Sequence, residues 1–160
     1  MNKKELLEQI IVTLESVHQN AVNATKLAHE TATHGETVAE NKYDTFGLEA
    51  SYLAHGQAKR VAECEADLAA YKKLTALEFS EQTPISSGAL IYLNDSNNNE
   101  QIIYLGPAAG GLKLIFNGEK ILVVTLSAPL GKVLLGHLVG DEIKMTMEGQ
   151  EKFYEIINIK

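Results

Sequence analysis

The residues of this sequence best suited to chemistry are acids. Glu36, Glu40 and Asp44 fall within one short stretch, Gly35-Glu36-Thr37-Val38-Ala39-Glu40-Asn41-Lys42-Tyr43-Asp44. Carboxylate oxygens suit Mg²⁺, which prefers a few carboxylates and several waters to a complete protein cage. Acids that help hold such an ion could assist phosphodiester hydrolysis, where paired divalent metals stabilise the attacking and leaving oxygens. By spacing alone, Glu36 and Glu40 read as a solvated turn near the start of a helix, where negative charge favours the helix dipole. Asp44, one turn beyond Glu40, is explained by stabilisation of a helix start.

Other candidates carry less. His29 and His34, near Glu30, are five residues apart and miss the i, i+4 spacing that puts two zinc ligands on one helical face. Gly106-Pro107-Ala108-Ala109-Gly110-Gly111 lacks the Gly-Lys-Ser/Thr of a phosphate loop and reads as a turn between strands. No serine sits in a nucleophile-elbow sequence. Cys64, the single cysteine, cannot form an internal disulfide and reads as a buried, unreactive thiol in a reducing compartment.

The elements that must position the acids come in two kinds. From Met1 to about Leu77 there is no proline, and apolar or small residues recur at Leu7, Ile10, Leu14, Val17, Ala21, Ala24, Ala28 and Thr31. A second series runs through Ala50, Ala54, Gln57, Val61, Cys64, Leu68 and Tyr71. Steps of three and four make a heptad seam, the spacing that lets one helix pack along another. His34-Gly35-Glu36-Thr37 lies between the two series and holds the only strong turn signal in this half. Two long antiparallel helices are therefore expected over 1–78, with small residues near the turn that allow close approach.

After Gln82-Thr83-Pro84 the pattern changes to short apolar runs at 89–94, 101–105, 112–116, 120–126, 142–147 and 152–159. Turn chemistry separates them: a polar loop at 94–99, Asn117-Gly118, and Glu148-Gly149-Gln150. Pro129 to Gly136 reads as a short helix with proline in its first turn. The fold class is α+β, with a helical hairpin over 1–78 and a small, mostly antiparallel sheet domain with one covering helix over 79–160.

Composition bounds the partners. The 160 residues are 45% hydrophobic and 22% charged, as in a globular protein, but tryptophan is absent and a large aromatic core is excluded. A net charge of −7 argues against autonomous binding to nucleic-acid phosphates and favours a basic protein surface as partner. No apolar run approaches a membrane span, and Met1-Asn2-Lys3-Lys4-Glu5-Leu6-Leu7 has no signal-peptide pattern, so the protein is expected in the cytoplasm, away from membranes.

Two segments resemble a known family. Ser127-Ala-Pro-Leu-Gly-Lys-Val-Leu-Leu-Gly-His-Leu-Val-Gly-Asp-Glu-Ile143 closely resembles the signature of Gre transcript-cleavage factors: a serine-proline entry, a short helix ending in Leu-hydrophobic-Gly, then Gly-Asp-Glu before a strand. At the turn, the family carries glycine, an acid, then Glu-Asn shortly before a tyrosine, and Gly35, Glu36, Glu40, Asn41 and Tyr43 take those positions. One residue more separates the two acids here, and the first is glutamate where aspartate is usual. The resemblance also covers length and element order.

That resemblance implies an FKBP-like second domain that docks on RNA polymerase, through Pro129, Leu135, Leu138 and Val139 here, while the hairpin enters the secondary channel. Glu36 and Glu40, with Asp44 as a third carboxylate, would help the polymerase's own site retain a second Mg²⁺ and cut backtracked RNA. The protein would hold no cofactor when free, would not be an enzyme alone, and would meet nucleic acid, including the DNA associated with the family, only through the elongation complex. One alternative is a secondary-channel regulator that inhibits or modulates polymerase without cleavage. A prolyl isomerase is the enzyme alternative, disfavoured because its aromatic pocket would have to come from Phe116, Phe153, Tyr92, Tyr104 and Tyr154.

Overall fold

The computed structural model describes residues 1–33 and 46–160, in the order α1 (Lys3–Thr33), α2 (Phe46–Lys72), β1 (Leu90–Asp95), β2 (Glu100–Gly106), β3 (Lys113–Phe116), β4 (Glu119–Thr125), α3 (Pro129–Leu134), β5 (Glu142–Met147) and β6 (Gln150–Ile159). The chain divides into two compact units, Ile11–Ala69 and Met1–Ile10 with Ala70–Lys160.

In the helical unit the seam read from the sequence is the buried stripe. Leu14, Ala21, Ala28 and Cys64 are buried, and Val17, Ala24, Thr31, Ala54, Gln57, Val61 and Leu68 are half-buried. Their neighbours on the outer faces, such as Glu15, Asn20, Glu30 and Lys59, are exposed. His18 Nε2 on α1 lies 3.3 Å from Glu65 Oε1 on α2, so the helices run side by side. A parallel pair in that register would hold Thr33 and Phe46 about 50 Å apart, beyond the roughly 45 Å that their connection can span fully extended. The pair is antiparallel.

In the sheet unit six strands form one sheet in the order β3-β4-β2-β1-β6-β5. Neighbours pair antiparallel except β2 with β4, which run parallel with Ile103 beside Leu122 and Leu105 beside Val124. The sheet is thus mixed, because the β3–β4 hairpin returns β4 into the place between β3 and β2. Asn117 and Gly118 close that hairpin at φ 51° and 82°, the left-handed pair a two-residue turn needs, and Glu148 and Gly149 repeat it between β5 and β6 at 52° and 77°.

One sheet face, with Ile91, Leu93, Ile103, Leu105, Val124 and Ile156, packs with Ile85 and with Leu134 of α3 into the main core. The other face meets the end of α2: the Tyr71 ring lies 6.4 Å from the Tyr104 ring, and Tyr71 Oη donates to the Ala108 carbonyl at 2.9 Å. Leu6 and Ile10, in the first turns of α1, are fully buried in this same unit.

Candidate functional site

Glu36, Glu40 and Asp44 lie outside the described residues. The second candidate surface, the segment from Ser127 to Ile143, is described throughout, and its shape follows from its small residues. Proline opens α3 after Ala128, whose extended backbone starts the helix without a side-chain cap. Gly131 lets α3 touch the end of β4: a Cβ there would lie 2.0 Å from the Thr125 carbonyl oxygen. The helix ends at Leu134, two residues short of the Gly136 expected from the sequence. Leu135 has left helical conformation (φ −55°, ψ 128°), and Gly136 at φ 82° turns the chain.

Past that turn the backbone is tied on both sides. Gly136 N–H donates to the Ile85 carbonyl at 2.9 Å, and Ile85 N–H donates to the His137 carbonyl at 2.9 Å. Gly140 N–H reaches the Ile156 carbonyl at 2.8 Å. Within the loop, Asp141 Oδ2 accepts from Leu138 N–H at 2.9 Å and lies 3.0 Å from His137 Nδ1. The Leu138 amide, then His137, hold the Asp141 carboxyl below the usual carboxylate range. A carboxylate thus organises the loop by accepting from two groups within it. The Gly-Asp-Glu sequence marked this place, but no spacing rule pointed to the His137 contact.

The candidate docking residues separate by exposure. Pro129 and Leu135 are exposed, Leu135 by 50%, whereas Leu138 and Val139 are half-buried and Val139 packs against the core. Pro129 stands at the first position of α3 and Leu135 just past its last, so the two bracket a helix about 9 Å long. Leu134, between them, is fully buried.

The remaining candidates are placed as follows. Among the described residues no three His, Cys, Asp or Glu side chains group as a metal site, and Cys64 is a buried free thiol. Residues 106–111 form the turn between β2 and β3, with Ala109 at φ 57° and Gly111 at φ 91°. Tyr92 and Tyr104 are buried, Phe153 is half exposed, and the groove along β2, β3 and β4 has no aromatic lining. The aromatics that an isomerase would need do not converge on it. Among the described residues no helix is long and apolar enough to cross a membrane.

No family model matches the chain. Among curated proteins it is similar to the transcription elongation factor GreA of Beijerinckia indica, 29% identical over 132 residues, 81% of this chain and 76% of that protein. It is 26% identical over 156 residues to GreA of Rhodospirillum rubrum, covering 96% of this chain and 90% of the relative. With GreA of Pelobacter propionicus it shares 26% identity over 136 residues, 82% of this chain and 77% of the relative. Among solved structures it is similar to GreA factor homolog 1 (Gfh1) of Thermus thermophilus at 20% identity, covering 98% of this chain and 93% of that one with a TM-score of 0.39. The relation rests on sequence similarity that runs through both units. On these grounds the chain is similar to the Gre-type elongation factors along most of its length.

Proposed function

We propose that this protein is a transcription elongation factor that binds RNA polymerase through its sheet unit and carries Glu36 and Glu40 into the secondary channel on its helical unit. There the two carboxylates hold an attacking water and share in retaining a Mg²⁺ at the polymerase site, so that the polymerase cuts backtracked RNA. Mg²⁺ supplies charge stabilisation to the attacking and leaving oxygens. Bond cleavage belongs to the polymerase, and this chain contributes oxygen ligands and their orientation. It works where the polymerase works, in the cytoplasm, and meets nucleic acid only through that complex.

The observation that carries this reading is the relation to proteins named transcription elongation factor GreA along 81% to 96% of the chain. The acids fall in the segment that links two antiparallel helices of 31 and 27 residues, about 46 and 40 Å long. A pair of that length suits delivery of a small charged group into a narrow channel, and Leu135 with Pro129 supplies an exposed apolar anchor on the sheet unit.

The spacing of the acids favours a second reading. One additional residue between Glu36 and Glu40 rotates one carboxylate by about 100° relative to the other if the stretch is helical, and the two then fail to converge on one ion. The protein would then occupy the channel and inhibit or modulate polymerase without cleavage. A transcript-cleavage assay on stalled elongation complexes separates the two. Shortened RNA that depends on the protein supports the first reading, and binding without shortening supports the second.

A further inference from the structure

The sheet ends at β3, a strand of four residues whose outer edge is covered by no other strand among the described residues. Its register with β4 runs Lys113 to Leu122, Leu114 to Ile121, Ile115 to Lys120 and Phe116 to Glu119, around the two-residue turn at Asn117-Gly118. Val123 N–H donates to the Leu112 carbonyl at 2.8 Å. Backbone bonding alternates along an antiparallel pair, so Leu112, Leu114 and Phe116 turn their amides and carbonyls toward β4. Those of Lys113 and Ile115 point outward, two residues apart, in the arrangement an added strand would use.

The side chains at this edge are sorted by charge. Lys113, Ile115, Lys120, Leu122 and Gln101 share the face that bears the main core, while Leu114 and Ile121 are buried on the other. Glu100 and Glu119 lie on that other face, where both act on the Tyr92 hydroxyl. The edge thins out here: Ile115 is 67% exposed, Leu122 is half-buried, and a groove of about 740 Å³ opens along β2, β3 and β4, lined by residues of both faces with Glu100 at one end. Neither lysine takes part in an ion pair among the described residues.

We propose that this edge is a docking site for an extended acidic segment of a partner protein, which adds a strand to β3, bonds the outward backbone groups of Lys113 and Ile115, and sets an acidic side chain against Lys113 and Lys120 with an apolar one over Ile115. Two lysines in no ion pair among the described residues, beside an exposed isoleucine, define that complementarity in a chain that is acidic overall. Lysine on a short edge strand also repels a second copy of the same strand, and this repulsion makes the edge selective for negative charge. The inference does not depend on the polymerase reading.

The test titrates the full chain, labelled with ¹⁵N, with the peptide Thr-Glu-Thr-Val-Thr-Glu-Thr and with its counterpart bearing lysine for glutamate. The expected result is that the acidic peptide shifts the amides of Lys113 and Ile115 more than that of Leu114. Paired Lys113→Glu and Lys120→Glu changes should weaken binding by about tenfold or more, equivalent to roughly 1.4 kcal/mol, with other resonances unmoved. In a second variant, Ile115→Pro, loss of one outward N–H should abolish binding without disturbing the β4 ladder. Equal shifts with the lysine peptide, no movement of these amides at millimolar peptide, or unchanged affinity of the charge-reversed chain would overturn the proposal. So would shifts at the lysines produced by a short oligothymidine and not by the peptide, or shifts that track protein concentration alone.

Discussion

Tyr71 and Gly106 fit together because one of them has no side chain: a Cβ on Gly106 would lie 2.1 Å from Tyr71 Oη and 3.1 Å from its Cζ. Tyr71 is fully buried and donates its hydroxyl to the Ala108 carbonyl, two residues past that glycine. Gly106→Ala should therefore cost about 1–3 kcal/mol through overpacking. Tyr71→Phe should cost about 0.5–1.5 kcal/mol from the lost hydrogen bond. Because the phenylalanine lacks the nearest clashing atom, the double variant should be less destabilised than the sum of the two. Urea denaturation of the four proteins measures this coupling, and strict additivity would mean that the backbone moves away from Tyr71.

Lys3 gives a pH signature to the start of α1. Its amine donates to the Leu77 carbonyl, stands 4.2 Å from the Phe79 ring centroid, and is lowered by burial from 10.5 to about 8, with Glu78 opposing. The folded value lies below the unfolded one, so the unfolded chain binds more proton between them and stability rises with pH across that window. Relative to Lys3→Met, the natural chain should gain stability between about pH 8 and about pH 10.5. Tyr104 works in the opposite sense at higher pH, since burial pushes its hydroxyl up to about 12. Denaturation midpoints of both proteins across the window test the effect, and parallel curves would show that Lys3 titrates as an exposed amine.

Leu135 separates the proposed docking surface from the core. It is exposed while Leu134 beside it is fully buried, so Leu135→Glu should leave the melting temperature within a few degrees and weaken polymerase binding by roughly tenfold or more, as a lost anchor does. Leu134→Ala should instead destabilise the fold by about 2–5 kcal/mol. Binding measured against immobilised polymerase, beside a melting curve, separates the two. Full affinity in a folded Leu135→Glu protein would place the anchor elsewhere.

Removal of both acids should act on function alone. Glu36→Ala with Glu40→Ala is expected to change stability by less than about 0.5 kcal/mol, to keep polymerase affinity, and to abolish any cleavage of stalled complexes. Deletion of Thr37 is expected to raise the cleavage rate at low Mg²⁺, because it restores the usual acid spacing without altering charge. A misplacement of about 1 Å costs on the order of a hundredfold in rate, so recovered alignment should be measurable. A deletion variant that binds normally and cleaves no faster at any Mg²⁺ concentration would favour the reading without cleavage.

The sequence by itself determined the elements. The heptad seam named most of the buried helix positions, missing Leu6 and Lys3, six apolar runs named the six strands, and Asn117-Gly118 named the β3–β4 turn, because each of these patterns is local: side-chain period and left-handed turn residues are written within a few positions. Tertiary structure alone decided what depends on residues far apart. The place of β4 between β3 and β2, and hence the one parallel pairing, is a matter of which strand edges meet, and apolar periodicity does not encode that order. Lys3 reads locally as a solvated residue at a helix start, yet it is 5% exposed because the Leu77–Phe79 segment closes over it from 74 residues away. Likewise Leu135, Leu138 and Val139 are equivalent apolar letters in one loop. Their different exposure follows from where Ile85 and Ile156 anchor the loop's backbone and where Asp141 turns it, so that only Leu135 among the three is left facing solvent.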